Sequence, residues 1–361
     1  MYILVLPVSG GGFVSQLGIL QHLCESKFVP DITLASSGGN VAAYVAAAAD
    51  WKWPGIERIA RELSQDLFVC PWNNVIAISM IMGYFKGDVY NKGSGVHGFL
   101  GRHFTEKTIA KYEIWTGTYN ENRQKARLFC NRSVKDSILD ISQIDHDLTQ
   151  SMESVFANGN IGLIADCAVA SASIPALVPS QKIMGEDYID GGIAGASPLT
   201  IMREPLLKHT KSKDESLHII YVNSVDLSSP NSKPSHNVID TWRQATRNLV
   251  RSQTVIDRLS GYELLRCHQG NQGTMNKEEF ICTYDNLERV KIIQSKVKYS
   301  MLEIYPVGNF DIDVTRFNGE DIVKAIHLSY ANCRCRLWWV STESLMCDTE
   351  LCVLFEQCKK C

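Results

Sequence analysis

Two glycine-bearing clusters lie close together near the start of this 361-residue chain, Ser9-Gly10-Gly11-Gly12 and Ser36-Ser37-Gly38-Gly39. Each follows a short apolar run and precedes a helical pattern. Consecutive glycines let backbone N–H groups turn toward an anion with no Cβ in the way. A serine on a sharp strand-to-helix turn presents its hydroxyl as a nucleophile, and the following helix aims its N-terminal N–H groups at developing negative charge. Only one strand–helix unit separates the clusters, so they can lie side by side. Together they suit acyl transfer by a serine hydrolase, with Gly10, Gly11 and Gly12 around the oxyanion.

Such an elbow crowds its neighbours, so the residues two before and two after the nucleophile must be small. Ala35-Ser36-Ser37-Gly38-Gly39 meets that demand around Ser37, whereas Ser36 would have the bulky Leu34 before it. The same residue types also serve as a plain helix cap. The first cluster has rival readings too. Gly10-x-Gly12-x-x-Ser15 lacks the third glycine of a dinucleotide fingerprint, and Ala35-Ser36-Ser37 stands where an acidic residue is needed. No Gly-Lys-Ser/Thr follows, so it is not a P-loop.

A serine nucleophile needs a base. An ordinary α/β-hydrolase supplies an acid and then a histidine downstream. His209, His218, His236, His268 and His327 follow the elbow, but none sits in a suggestive motif. Asp190-Gly191-Gly192 offers another route. A carboxylate hydrogen-bonded to the serine can take its proton directly, and partial desolvation strengthens it as a base. Gly191 and Gly192 would give its backbone room beside the first cluster. An isolated Asp-Gly also marks a hairpin turn.

These residues need a scaffold. Residues 2–8 read as a buried strand, 13–27 as a helix, 32–35 as a short strand and 40–49 as an alanine-rich helix. That order implies a parallel sheet with helices on its faces. Further helices are expected at 51–67, 161–172 and 238–259, and Asn318 should cap a last one through Ile322, Ile326 and Tyr330. Segments 112–118 and 125–130 read as a hairpin around 119–122, with later strands at 188–189, 217–223 and 301–305. A Ser/Pro/Asn-rich loop covers 224–236. No repeat or linker interrupts the chain.

Apolar content of 45% and charged content of 21% fit a globular protein with a large core. A formal charge of −3 gives no reason to expect nucleic acid as a partner. The apolar N-terminus lacks a basic region and reads as a strand, not a signal peptide. The stretch 75–85 is too short to span a bilayer, which takes about 20 residues. A soluble, cytoplasmic protein is the expectation. Trp51, Trp53, Trp72 and the stretch 75–85 form either an apolar entrance for a lipid or ordinary core.

Of the twelve cysteines, Cys24, Cys70, Cys130, Cys167, Cys267, Cys282, Cys333 and Cys335 are scattered and read as small buried residues in a reducing compartment. Cys347, Cys352, Cys358 and Cys361 crowd the tail in no standard zinc spacing. Disulfides, S-acylation beside Lys359-Lys360 and free thiols all stay open for them. Asn131-Arg132-Ser133 is a glycosylation sequon, incidental without a secretory signal.

Taken together, Ser9-Gly10-Gly11-Gly12-Phe13, Ala35-Ser36-Ser37-Gly38-Gly39 and Asp190-Gly191-Gly192 resemble the patatin-like phospholipase family. So do Leu17-Gly18-Ile19-Leu20-Gln21-His22-Leu23, Ala170-Ser171-Ala172-Ser173-Ile174-Pro175-Ala176 and Ser197-Pro198-Leu199. The resemblance implies a three-layer α/β/α sandwich around a mostly parallel sheet, with a catalytic domain over 1–340 and a Cys-rich tail over 341–361. It implies hydrolysis of fatty-acyl esters in phospholipids or related lipids through an acyl-enzyme. Ser37 would be the nucleophile and Asp190 its base, with no cofactor or metal. A lipid is the implied substrate, and peripheral contact with a membrane surface goes with it; the oligomeric state is unknown. The chain departs from the family at Val14, where Arg or Lys is usual, and at Ser15 and Ala35, where glycine is usual. A catalytically weak or inactive lipid-binding protein of the same fold is the alternative, and a nucleotide-binding enzyme a third.

Overall fold

The computed structural model describes residues 1–63, 94–105, 108, 111–139, 152–157, 159–174, 180–192, 197–225, 238–269, 273–308, 310 and 318–342. The chain begins β1 (Tyr2–Leu6), a 3₁₀ turn at Gly10–Gly12, α1 (Phe13–Glu25), β2 (Ile32–Ser36), α2 (Gly38–Ala48), α3 (Trp53–Arg61) and α4 (Ser94–His103). There follow β3 (Glu113–Asn120), β4 (Lys125–Cys130), β5 (Met152–Phe156), α5 (Ile161–Ser171), β6 (Gln181–Ile183), β7 (Glu186–Asp190) and α6 (Pro198–Lys213). The last elements are β8 (Leu217–Val222), α7 (Val238–Gln269), β9 (Gly273–Ile281), α8 (Tyr284–Lys296), β10 (Tyr299–Pro306), α9 (Gly319–Ala331) and β11 (Cys333–Thr342).

The strands form one sheet in the order β5-β4-β3-β2-β1-β8-β10-β11-β9, with β7 on β3 and β6 on β7. Its centre is parallel, from β3 through β2, β1 and β8 to β10. Antiparallel strands flank that centre: β4 and β7 on β3, and β11 then β9 beyond β10. The expected parallel sheet is therefore the middle of a mixed one. The 119–122 hairpin forms as expected, and Asn318 caps α9 in a capping box with Asp321.

Alternation along β1 explains the layers. Leu4 and Leu6 enter a core shared with α1, α2, α3 and α9, while Ile3 and Val5 enter one shared with α6 and α7. Side chains of a strand alternate between faces, so a strand buried on both sides reads as an unbroken apolar run. Helices cover both faces, giving three layers. Trp51 is core, only 6% exposed, whereas Trp72, the stretch 75–85 and the four tail cysteines lie outside the described residues. No helix among the described residues is long and apolar enough to cross a membrane.

Candidate active site

The site forms where β1, β2 and β7 end. Parallel strands β1 and β2 pair Leu6 with Ala35, so the turns that follow them leave the sheet on the same edge. The chain after β1 makes the glycine turn, with Gly10 at φ +50°. Gly12 donates its N–H to Ser9 O at 2.8 Å, and Phe13 donates to Gly10 O. Neither the Gly10 nor the Gly11 N–H meets an acceptor among the described residues. Gln16 braces the turn from α1, its Nε2 donating to Pro7 O at 3.1 Å and Val222 O at 3.3 Å.

Ser37 occupies the turn between β2 and α2 with φ +54° and ψ −133°. That conformation is costly for any residue with a Cβ and is the mark of a strained strand-to-helix elbow. Its small neighbours are required by contact. A Cβ on Gly39 would collide with Leu6 O and lie 2.5 Å from Pro7 O. One on Gly38 would collide with Gly10 O and lie 2.5 Å from Ser9 Oγ. The N-terminus of α2 thus packs directly on the end of β1 and the glycine turn. Ser9 Oγ is buried there without a hydrogen-bond partner among the described residues.

Strand β3 brings in Asp190. One edge of β3 is taken by β2 up to the pair Ser36–Gly117, and then by β7 from the pair Thr118–Asp190. Since β4 holds the other edge, β2 and β7 meet end to end. The loop after Asp190 folds against both neighbours. A Cβ on Gly191 would lie 2.7 Å from the Gly117 carbonyl, and one on Gly192 would lie 2.5 Å from Val8 Cβ. Asp190 Oδ1 accepts the Gly192 N–H at 2.8 Å. Ser37 is 2% and Asp190 0% exposed. No hydrogen bond to Ser37 Oγ forms among the described residues. In resting sites such bonds are often long and tighten when substrate binds.

Sequence reasoning assigned no role to the device that tethers both residues. Ser171, at the end of α5, accepts the Ser37 N–H on its Oγ at 2.9 Å and donates to Gly117 O at 2.7 Å. Two residues on, Ser173 O accepts the Asp190 N–H at 3.0 Å. The small-residue run 170–173 was the available signal. Under α2, Thr116 Oγ1 donates to Asn40 Oδ1 at 2.9 Å and lies 3.1 Å from the Tyr44 hydroxyl. Burial pushes the Tyr44 hydroxyl well above its usual range, so it stays a neutral hydrogen-bonding group.

The histidines are placed elsewhere. His218 pairs across the sheet with Tyr2 and bonds Ser300 at 2.9 Å, at the end of the parallel strands opposite Ser37. His209 lies 3.3 Å from Glu215, ahead of β8, and His268 lies 2.9 Å from Thr210. His327 is exposed on α9, and His236 falls outside the described residues. Val14 is completely buried in the core, so the helix face after the glycine turn carries no cation there.

A family model for patatin-like phospholipases matches residues 6–203, a span that holds all three motifs. No curated protein matches the chain. Among solved structures, VipD from Legionella pneumophila matches with a TM-score of 0.34 at 14% identity. That match covers 92% of this chain and 65% of VipD.

Proposed function

The chain belongs to the patatin-like phospholipase family, and from that premise we propose that it is a serine lipid acyl hydrolase using Ser37 and Asp190. The observation that carries this reading is the elbow. Ser37 holds a strained positive-φ conformation at the very point where β2 ends against the strand that delivers Asp190. Proteins keep such strain where function requires it.

In the proposed reaction Ser37 Oγ attacks the acyl carbonyl while its proton passes to the Asp190 carboxylate. The carbonyl oxygen becomes an oxyanion facing the Gly10 and Gly11 N–H groups, with Gly12 shaping the turn through its bond to Ser9 O. Each donor of this kind is worth about 3 kcal/mol of transition-state stabilisation. Collapse breaks the ester bond, and the departing alkoxide takes the proton from Asp190. Water, deprotonated by Asp190, then attacks the acyl-enzyme; a fatty acid leaves and Ser37 regains its proton. The substrate class is a fatty-acyl ester of a phospholipid or related lipid.

A fluorophosphonate probe combined with a fluorogenic acyl-ester assay tests this. Wild type should be labelled at Ser37 and turn over ester, and Ser37→Ala should do neither. Equal turnover by both proteins overturns the assignment. An unlabelled wild type that still binds liposomes would favour the non-catalytic lipid-binding reading, which rests on Val14 in place of the family's cation and Ala35 in place of its first elbow glycine.

A further inference from the structure

A second chemical cluster lies apart from the Ser37 site, where the last strands of the sheet meet α1. Strands β9 and β11 pair antiparallel, with Ile281 opposite Arg334. That register sets Cys282 opposite Cys333, and the Cys282 N–H donates to Cys333 O at 3.2 Å. Cys335 lies two residues along the same strand, so it shares a face with Cys333. All three are in the core on the α1 side of the sheet, each no more than 4% exposed. From α1, His22 reaches the same spot, 6% exposed. The ligand atoms of His22, Cys282 and Cys333 all fall within 4.8 Å of one another.

We propose that His22, Cys282, Cys333 and Cys335 form a structural site for a thiophilic divalent cation, of which zinc is the expected occupant. Cys₃His is one of the standard donor sets of structural zinc. With Zn–S near 2.3 Å, tetrahedral ligands stand about 3.8 Å apart, so His22, Cys282 and Cys333 need a contraction of only about 1 Å or less, and Cys335, two residues along β11, must turn in to complete the set. The imidazole is already oriented from outside the cluster. Its Nε2 lies 2.8 Å from Tyr330 O and its ring stacks on Tyr330 at 4.0 Å. Carbonyl contacts of this kind commonly fix a ligating histidine.

Ordinary core packing accounts less well for the arrangement. Scattered buried cysteines are common as small apolar residues. Two of them meeting a buried imidazole at one point, with a third on the same strand face two residues away, are a soft donor set. Cysteine ligates a metal as the thiolate. Binding must therefore release thiol protons, and it strengthens as pH rises. The ion would pin the β9–β11 edge to α1, the helix that follows the glycine turn.

The test uses the full chain with Cys347→Ser, Cys352→Ser, Cys358→Ser and Cys361→Ser, so that the tail thiols cannot contribute. Elemental analysis after purification with zinc present should find one equivalent per chain. Exchange with Co²⁺ should give thiolate-to-cobalt charge-transfer bands together with tetrahedral d–d bands. His22→Ala and Cys333→Ser should each lose them, whereas Cys267→Ser, at an exposed position, should keep them. Chelation of the zinc-loaded protein should lower its Tm and zinc should restore it, a measurement that needs no variant in the cluster. Absence of zinc together with absence of cobalt charge transfer overturns the proposal. So does a Cys282–Cys333 disulfide found by mass spectrometry in freshly purified protein.

Discussion

Replacing each of the two adjacent elbow serines with Ala and with Gly should give stability changes of opposite sign. Ser36 lies in β2 with extended backbone, and Ser37 holds φ +54° and ψ −133°. At an extended position glycine is less stable than alanine by about 0.5–1 kcal/mol, because the unfolded chain is freer. At position 37 the same entropic penalty applies, but glycine also releases the strain of the elbow, about 1–3 kcal/mol. Midpoints of these ranges put Ser37→Gly about 1.3 kcal/mol above Ser37→Ala, and Ser36→Gly about 0.7 kcal/mol below Ser36→Ala. For 361 residues, the unfolding entropy converts these to roughly +2 °C and −1 °C in Tm. Comparing Gly with Ala at one site cancels the lost hydroxyl, including the 3.4 Å bond from Ser36 Oγ to Gly117 O. Thermal melts of the four variants, with ester turnover measured alongside, make the assay. Both position-37 variants should be inactive. If Ser37→Gly is less stable than Ser37→Ala, as at position 36, the elbow is unstrained and the main support for the proposed nucleophile fails.

Three other perturbations probe different parts of the reasoning. Asp190→Asn can still accept the Gly192 N–H on its amide oxygen, so it should fold normally and lose ester turnover by about 10²–10⁴-fold; near-normal turnover would require another base. Ser171→Ala strands the buried Ser37 N–H, costing about 1–3 kcal/mol. Because Ser171 positions the proposed nucleophile, kcat should fall with KM little changed and Ser171→Thr should restore part of it; an unaltered kcat refutes the tether. Asp257 is fully buried and desolvation raises its carboxyl to about 7, against the hydrogen bonds from Thr200. Folding then favours its protonated form, so this contribution is complete below pH 4 and is lost as pH rises through 7. Denaturant melts should show Asp257→Asn gaining on wild type as pH rises from 4 to 8, and a constant difference between the two refutes the burial argument.

The elements legible in the sequence are those whose pattern is local. The β1–α1–β2–α2 order follows from apolar runs broken by glycines, and Asn318 announces α9 with its own side chain. The edge strands are not legible in this way. β9 reads Gly273-Thr274-Met275-Asn276-Lys277-Glu278-Glu279-Phe280-Ile281, too polar to signal a strand by apolar alternation. Its order comes from partners distant in sequence: Arg336 of β11 bonds Glu279, and Arg289 of α8 bonds Glu278 at 2.6 Å. The cluster around His22 was hidden for the same reason. Cys282 lies 51 positions before Cys333, and only the β9–β11 register makes them neighbours.

The same distinction governs the candidate site. Residue types showed the elbow, the glycine turn and the aspartate, but not the strand that joins them. β3 outlasts β2 along their shared edge, and β7 takes up the remainder running the other way, so the two strand ends confront each other over Gly117 and Thr118. A histidine relay spans a gap between nucleophile and acid when they arrive on separate loops. End-to-end strands on one edge offer less gap to span, since successive residues along a strand rise by only about 3.3 Å. Such a junction suits the proposed direct serine–carboxylate pair on topological grounds. It also explains why the tethers come from one place: the end of α5 lies beside that junction, so Ser171 and Ser173 can reach both strand ends at once.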